Sequence, residues 1–310
     1  MSRHERSSAR RRDRRLAALL GVLCALALAA LVAIVTRGSG SAKGGTTPPV
    51  AAAPEHRARP AHPVAPAPRR HALTLPARPA REAVRVPVLM FHRVAPRALA
   101  RSETQRSLTV EPSTFAAELD WIAVHGYHPI TQEQLFLGLF DGARLPRRPV
   151  VLSFDDGYKD DVRTILPMLR RHGWPATFFV ITGRDALPDY LSWPEIRTLD
   201  RAGMDLGSHT VDHTELPGLT PARLRWELVT SRDALERHLG HPIRWFAYPA
   251  GRYDATAEKA VASAGYLLAY GTRPGSRIAA GSRLAEPRIR VDGGESASAF
   301  GASLSAAEGA

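Results

Sequence analysis

Residues 149–157 read Pro-Val-Val-Leu-Ser-Phe-Asp-Asp-Gly, and this stretch decides the fold. Its apolar first half predicts a buried strand, and two adjacent carboxylates, Asp155 and Asp156, follow that strand directly. In folds that alternate strands and helices, the carboxyl ends of parallel strands share one face, and that face carries the functional site. The stretch therefore predicts an α/β protein with a site at the carboxyl edge of its sheet.

Strand-like and helical patterns alternate on both sides of this stretch, between residues 84 and 291. Residues 176–181 are β-branched and aromatic and predict a strand, whereas the apolar periodicity of residues 193–202 predicts a helix. The alternation continues through a strand over residues 243–248 and a helix over residues 255–264. This order of elements predicts a parallel sheet, either open or closed as a barrel.

A second polar motif, His209-Thr-Val-Asp-His213, follows another short apolar stretch. One carboxylate and two histidines form a common ligand set for a catalytic divalent metal with an open water position, and the spare carboxylate is then a candidate base. Taken alone, the Asp pair before Gly157 also fits a solvated turn, and a His pair four residues apart also fits a helix surface. Their joint occurrence at predicted strand ends favours a metal-dependent hydrolase.

The formal charge of +12 is confined to the N-terminal part of the chain. Residues 1–15 hold seven Arg, and residues 37–85 are also strongly basic, whereas residues 86–310 carry 26 basic and 26 acidic side chains. A neutral domain has no net charge to attract a polyanion, so the composition argues against a nucleic-acid partner.

The segment from residue 16 to 36 holds 21 residues without a charge and predicts a transmembrane signal-anchor helix. The basic residues before it should remain in the cytoplasm, which places the domain outside the cell. A cleaved signal peptide, which would release a secreted protein, is the alternative. The many prolines of residues 37–83 predict an extended linker, and residues 292–310, rich in Gly, Ala and Ser, predict a disordered tail.

Residues 153–157 and 209–213 resemble, in order and spacing, the first two motifs of the polysaccharide deacetylase family, the NodB-homology carbohydrate esterases. Residues 246–251, Phe-Ala-Tyr-Pro-Ala-Gly, resemble its third motif. The resemblance covers residues 86–291 and implies a distorted (β/α) barrel of the NodB-homology type that hydrolyses N-acetyl groups on a glycan.

The resemblance also implies roles for individual residues. It implies a divalent metal, commonly Zn²⁺, held by Asp156, His209 and His213, with Asp155 as the catalytic base. It further implies that a backbone N–H of the third motif, best matched by Ala250, donates to the oxyanion. The substrate-binding residues implied in this way are Tyr248, Pro249, Ala250 and Gly251.

Two departures from the family pattern have their own consequences. The third motif often begins with an Arg that orients the base, but this chain has Ala247, and no histidine follows His241 to serve as the general acid. His92 lies at the end of the first predicted strand. Because the first and last strands of a closed barrel are neighbours, His92 is the candidate general acid in place of a C-terminal histidine. This arrangement resembles the branch that deacetylates poly-β-1,6-N-acetylglucosamine. Arg290, on a late strand over residues 287–291, is the candidate to orient Asp155.

The sequence thus predicts a membrane-tethered N-deacetylase that acts on an extracellular or cell-wall polysaccharide. Two alternatives within the same scaffold are a peptidoglycan N-acetylglucosamine deacetylase and an O-acyl esterase. A non-catalytic glycan-binding module is a third alternative, but inert descendants usually lose one residue of the Asp and His motifs, and here all are intact. Neither the glycan linkage nor the oligomeric state is indicated by the sequence.

Overall fold

Residues 73–309 are described by a computed structural model, and they form short strands alternating with helices. The strands are β1 (Ala83–Arg85), β2 (Val88–Phe91), β3 (Arg93–Val94), β4 (Thr109–Val110), β5 (His128–Pro129), β6 (Pro149–Phe154), β7 (Thr177–Val180), β8 (Asp205–Ser208), β9 (Trp245–Ala247), β10 (Leu268–Tyr270), β11 (Arg277–Ala279) and β12 (Ile289–Arg290). The helices are α1 (Glu103–Ser107), α2 (Pro112–Val124), α3 (Gln132–Phe140), α4 (Leu166–His172), α5 (Trp193–Arg201), α6 (Pro221–Arg225), α7 (Ser231–Leu239), α8 (Ala255–Ser263) and α9 (Ala297–Gly309). Asp161–Ile165 and Trp226–Thr230 are π-helical turns that lead into α4 and α7.

Eight of these strands form one sheet in which each pairing is parallel, as the alternation predicts. The order along the sheet is β10-β9-β8-β7-β6-β2-β12, and β5 also pairs with β6. An isolated parallel bridge between Tyr270 and Glu286 brings the chain before β12 alongside β10. The sheet therefore curls into a half-barrel with the first and last strands as neighbours, and the predicted α/β class is confirmed in this form.

The polar motifs follow the carboxyl ends of neighbouring strands, as expected for a parallel sheet. The strands β2, β6, β8 and β9 end at Phe91, Phe154, Ser208 and Ala247, so that the next residues of the chain share one edge. Those next residues are His92, Asp155, His209 and Tyr248.

Side-chain alternation along the strands divides the core into two layers. Leu152 and Phe178 pack with the outer helices, whereas Val151 and Phe179 pack with α3 on the inner side of the curled sheet. On the outer side, stacked rings link three adjacent strands: Phe154 lies 5.2 Å from Phe91 and 5.0 Å from Phe178 between ring centroids. Burying such rings stabilises the sheet directly beneath the site.

The folded domain begins slightly before the predicted boundary at residue 84. The backbone N–H groups of Ala80 and Arg81 donate to the carbonyls of Phe140 and Leu139, and the Arg81 side chain donates to carbonyls at the end of α3. The predicted membrane segment, residues 16–36, lies outside the described residues, as do residues 1–15 and most of the linker. Over residues 73–309, no helix has the length and apolarity that crossing a bilayer requires.

The predicted disordered tail is wrong for most of its length, because Ala297–Gly309 form helix α9. Phe300 and Leu304, four residues apart, are both buried, and the Phe300 ring meets the ring of Trp121 on α2 edge to face. A Cβ at Gly301 would lie 2.4 Å from the Trp121 ring, so a glycine allows the two helices to approach closely. Two apolar residues among many small ones gave too weak a pattern to predict this helix.

Replacing Phe300 by alanine should lower the free energy of unfolding by about 3–5 kcal/mol, because the change removes a buried ring and leaves a cavity against Trp121. Urea unfolding followed by tryptophan fluorescence measures this change. An exposed alanine-to-serine change at Ala302 serves as the control. A Phe300→Ala protein as stable as the wild type would mean that the tail does not pack in solution.

Glu118 on α2 is a buried carboxylate whose two oxygens have no hydrogen-bond partner among the described residues. Burial, reinforced by the nearby Glu295, raises the pKa of Glu118 from its ordinary value of 4.5 to about 8. The folded protein therefore retains this proton at pH values where the unfolded chain releases it. Its contribution to stability is fully present below about pH 4.5 and is lost as the pH rises to about 8.

Replacing Glu118 by glutamine should therefore raise the free energy of unfolding at pH 8 and above, by up to roughly 5 kcal/mol for a pKa raised from 4.5 to about 8, at about 1.4 kcal/mol per pKa unit. The gain should shrink toward zero near pH 4.5, where wild-type Glu118 is protonated in both states. Urea unfolding at several pH values measures the difference, with the exposed Glu103→Gln as the matched control. An equal effect at both pH values would show that Glu118 is not a buried, protonated group.

Candidate active site

Asp155 and Asp156 lie in a tight turn at the end of β6 and face two different partners. Asp156 has a left-handed backbone (φ 78°), and so has Gly157 (φ 74°), where a Cβ would press against Val180 at 3.3 Å. Both carboxylates are buried, with 2% of Asp155 and 7% of Asp156 exposed. The turn therefore directs adjacent side chains into one buried site without making them equivalent.

Asp156 faces the two histidines of the second motif. Its Oδ1 lies 3.6 Å from His209 Nε2 and 3.4 Å from His213 Nε2. The ligand atoms of the three residues all lie within 4.8 Å of one another. Donors about 2.0–2.2 Å from a shared tetrahedral ion stand roughly 3.3 Å apart. The two distances from Asp156 to the histidines, 3.6 and 3.4 Å, are close to this value.

The donor chemistry of these residues also fits a divalent cation. Because a carbonyl can only accept, His209 Nδ1 must donate to Ala247 O, 2.7 Å away, and its Nε2 carries a free lone pair. Burial lowers the pKa of both His209 and His213, which favours the neutral, ligating form. Asp156 Oδ1 is buried and accepts no hydrogen bond from the described residues. An orphaned carboxylate oxygen beside the nitrogens of two imidazoles is the pattern expected where a metal supplies the missing partner.

Asp155 is held by a different group, the guanidinium of Arg288. The pair is bidentate, with Arg288 Nη1 2.8 Å from Asp155 Oδ1 and Nη2 2.7 Å from Oδ2, and Arg288 is 1% exposed. Burial alone would raise the pKa of Asp155, but Arg288 and then His209 outweigh it and hold that pKa well below its ordinary value. Asp155 is therefore an ionised carboxylate fixed in orientation.

The prediction that Arg290 orients Asp155 is wrong. Arg290 pairs with Asp292 at 2.8 Å and donates to Ser107, and it lines the mouth of the cleft. Arg288 directly precedes β12 and Arg290 ends it, so alternation along the extended chain places both side chains on the same side. Arg288 is buried, and its guanidinium pairs with Asp155. Arg290 is more exposed, and its guanidinium lies at the mouth of the cleft, where it pairs with Asp292.

His92 follows β2 and lines the same cleft as the two motifs, as predicted. Its Nδ1 is buried without a hydrogen-bond partner among the described residues. Burial lowers the pKa of His92, while Asp156 and Asp155 act in the opposite direction. A lowered pKa reduces the protonated fraction and makes the protonated form a stronger proton donor.

The third motif places a backbone donor at the cleft. The N–H groups of Tyr248 and Gly251 donate to the carbonyls of Tyr270 and Tyr248, and Pro249 has no N–H. The N–H of Ala250, a residue with a left-handed backbone (φ 53°), is thus the remaining donor of this turn. Tyr248, Ala250 and Gly251 line the cleft, whereas Pro249 is buried in the turn and does not line it.

The cleft has a volume of about 320 Å³, and some of the residues that line it lie outside the sequence motifs. Thr104 in helix α1, Leu108 at the end of that helix and Thr272 also line it. These residues belong to no recognisable sequence motif. Their positions in the chain, between β3 and β4 for Thr104 and Leu108 and after β10 for Thr272, do not indicate by themselves that they reach the site.

Comparison with known proteins places this geometry in a family. The family model for polysaccharide deacetylases matches residues 142–269. YxkH of Bacillus subtilis, which is named as a polysaccharide deacetylase, is 31% identical over 218 residues, covering 70% of this chain and 75% of that protein. The chain belongs to the polysaccharide deacetylase family. The predicted family and its enzyme class, a hydrolase of amide bonds, are confirmed.

Two further relatives of this deacetylase define how far the similarity extends. The solved structure of the deacetylase PplD of Streptococcus pyogenes, in complex with acetate, has a TM-score of 0.65 and 27% identity, covering 72% of this chain and 99% of that one. The poly-β-1,6-N-acetyl-D-glucosamine N-deacetylase of Escherichia coli K12 is 29% identical over 122 residues. That match covers 34% of this chain and 18% of the E. coli protein.

Proposed function

We propose that this chain removes N-acetyl groups from N-acetylglucosamine units of an extracellular or cell-wall polysaccharide and depends on a divalent metal. The observation that carries the proposal is that one cleft gathers the Asp156, His209 and His213 cluster, the ionised Asp155 and the imidazole of His92. Amide hydrolysis needs a base for water, a donor for the oxyanion and a proton for the leaving amine. Asp155, the N–H of Ala250 and His92 supply these three in the same cleft.

In this proposal, Asp156, His209 and His213 hold the metal, most commonly Zn²⁺. A divalent metal held there would polarise the acetyl carbonyl and lower the pKa of a nearby water. Asp155, kept ionised by Arg288, accepts a proton from the attacking water. The N–H of Ala250 donates to the oxygen of the acetyl group as negative charge develops there.

The remaining step is the release of the amine. As the bond between the acetyl carbon and the sugar nitrogen breaks, protonated His92 donates its proton to that nitrogen, and acetic acid leaves. The proton on Asp155 then restores His92, so that water and amide give acetic acid and amine with no net change in the protein. In solution the acid passes its proton to the amine, which leaves acetate and an ammonium group on the sugar. The strong donor character that burial gives to protonated His92 suits this role.

The choice of poly-β-1,6-N-acetylglucosamine as the first substrate to test has two supports. One is the similarity to the E. coli enzyme named for that polymer, and the other is the acid on the first strand, His92, in place of a C-terminal histidine. Peptidoglycan is the main competing substrate.

For localisation, we propose that residues 16–36 hold the protein in the cell membrane, with residues 1–15 in the cytoplasm and the catalytic domain outside. Protease treatment of intact cells would digest the domain and spare a tag placed before residue 1. Recovery of the full domain from the culture medium, with a new N-terminus after residue 36, would instead establish a cleaved leader.

Acetate release by the purified full-length chain tests the proposed function. β-1,6-linked N-acetylglucosamine oligomers and peptidoglycan are supplied separately, with Zn²⁺ or with a chelator. We expect release from the oligomers that the chelator abolishes and added metal restores. Release from peptidoglycan alone would replace the substrate, and release from O-acetylated polymers alone would make the protein an esterase. A protein that binds these glycans but releases nothing would be a binding module.

A further inference from the structure

The loop that joins the two histidines of the proposed metal site has a strained backbone. Thr210 and His213 both adopt left-handed conformations (φ 68° and 63°), although neither is a glycine. Such residues cost free energy and persist only where their surroundings hold them. The Thr210 hydroxyl accepts the His213 N–H at 2.9 Å, but this contact lies within the loop and cannot fix its place in the fold. Two carbonyls of the loop, those of Thr210 and Val211, accept the N–H groups of Thr182 and Gly183 from the neighbouring segment.

The N–H groups at the centre of the loop are held from outside by Glu227. This residue is fully buried, and its Oε2 accepts the N–H of Val211 at 2.9 Å and the N–H of Asp212 at 3.1 Å. Val211 and Asp212 lie between His209 and His213 in the chain, so one carboxylate oxygen holds the centre of the loop. A carboxylate that accepts backbone N–H groups makes stronger hydrogen bonds than a neutral acceptor does.

Arg223 neutralises the buried charge of Glu227 and extends the support to the surface. Its Nη2 lies 2.9 Å from Glu227 Oε1 and 2.6 Å from Asp212 Oδ2, and its guanidinium covers the Trp226 ring at 4.2 Å. The loop is therefore held through its backbone by Glu227 and through the Asp212 side chain by Arg223. Both supports lie on one helical segment.

The π-helical turn Trp226–Thr230 supplies a second connection to the same loop. Ser231 Oγ donates to the carbonyl of Glu227 at 2.6 Å and lies 2.7 Å from Ser208 Oγ. Ser208 Oγ in turn accepts the N–H of Thr210 at 3.2 Å. This hydrogen-bond chain joins the backbone of Glu227 to the residue that directly precedes His209. π turns are rare in proteins and are found frequently at functional sites.

We infer that Glu227 is a positioning residue that holds the loop between His209 and His213 in the geometry needed to bind the metal. It touches neither the cleft nor the three ligand residues, and it acts through the N–H groups of Val211 and Asp212. The inference rests on the proposed function for its metal, but the loop contacts are a property of this chain alone.

Replacing Glu227 by alanine tests this role with two readouts that do not depend on activity. In the metal-free full-length protein, hydrogen exchange at the amides of Val211 and Asp212 should become at least tenfold faster. In competition with a chelator, the affinity for Zn²⁺ should fall about 10–100-fold, the range seen when outer supports of metal ligands are removed. With Co²⁺ as the probe, the absorption bands of the bound ion should shift.

Three further variants separate positioning from general destabilisation. Leu235→Ala removes a buried side chain two turns along the same helical segment, so it should lower stability and leave Zn²⁺ affinity unchanged. Glu227→Gln keeps an oxygen able to accept both N–H groups and should restore most of the affinity. In Glu227→Asp the carboxylate is one methylene too short to reach the two N–H groups, so this variant should lose exchange protection and Zn²⁺ affinity as Glu227→Ala does. If the Glu227→Ala protein fails to fold, Glu227→Asp is measured in its place.

The inference would be overturned by Glu227→Ala or Glu227→Asp proteins with wild-type amide exchange and Zn²⁺ affinity within twofold of wild type. An equal loss of affinity in Leu235→Ala would also overturn it, since global stability would then account for the effect. Failure of the proposed function looks different: the wild-type protein would bind no Zn²⁺, while the amide-exchange arm would still report whether Glu227 holds the loop.

Discussion

Asparagine in place of Asp155 should lower kcat for deacetylation by about 10²–10⁴-fold, the range that a positioned general base contributes. Asn has the same shape as Asp but cannot take a proton from water at neutral pH. The side chain points at Arg288 rather than at the histidines, so the ligand atoms of Asp156, His209 and His213 should stay in place. Acetate release under saturating glycan measures kcat, and metal analysis of the same sample measures occupancy.

The matched control for this variant is Asp156→Asn, at the neighbouring position of the same turn. It should lose metal as well as activity, because Asp156 Oδ1 is the orphaned oxygen of the cluster. If the two variants behaved alike, with metal lost from both, Asp155 would be a ligand rather than the base. If Asp155→Asn retained full kcat, another group would have to remove the proton from water.

The part of the site that the sequence predicts correctly comes from strand ends. Asp155 and His209 directly follow strands, Asp156 and His213 come shortly after them, and strand ends in a parallel sheet converge whatever the details of packing. Their convergence therefore needed only the identity of the strands and not their register. His92 was placed at the cleft by the same argument, with the curl of the sheet bringing the first strand beside the last.

The features that sequence could not predict depend on distances between side chains. Arg288 and Arg290 are equivalent by alternation, and only the reach of each guanidinium within the half-barrel decides which one meets Asp155. Glu227 lies 14 residues after His213 in a helical pattern of ordinary composition, and its contact with the loop depends on the π turn. Helix α9 packs closely against Trp121 at Gly301, and the hydrophobic periodicity of the sequence does not indicate this contact.

Methionine in place of Arg288 should lower both the stability of the domain and the activity of the base. Removing one partner of a buried pair leaves an uncompensated charge and typically costs about 3–5 kcal/mol of stability. Without the guanidinium, burial would raise the pKa of Asp155, so the base would become protonated at pH values where the wild-type carboxylate is ionised. The acid limb of the kcat profile should therefore move to higher pH, and kcat at neutral pH should fall at least tenfold. Urea unfolding and a pH series of acetate release measure the two effects.

Two comparisons decide whether Arg288 acts through Asp155. Arg290→Met removes an exposed guanidinium from the same strand face and should change neither stability nor the pH profile beyond small effects. In the double variant Asp155→Asn with Arg288→Met, no buried charge is left unpaired, so its loss of stability should be smaller than the sum of the two single losses. Additive losses, or an unchanged pH profile in Arg288→Met, would mean that Arg288 supports the barrel without setting the state of the base. Non-additive losses of stability, together with a shifted pH profile of kcat in Arg288→Met, would show that Arg288 orients and ionises Asp155. Arg288 would then serve in place of the Arg that begins the third motif in many family members, where this chain has Ala247.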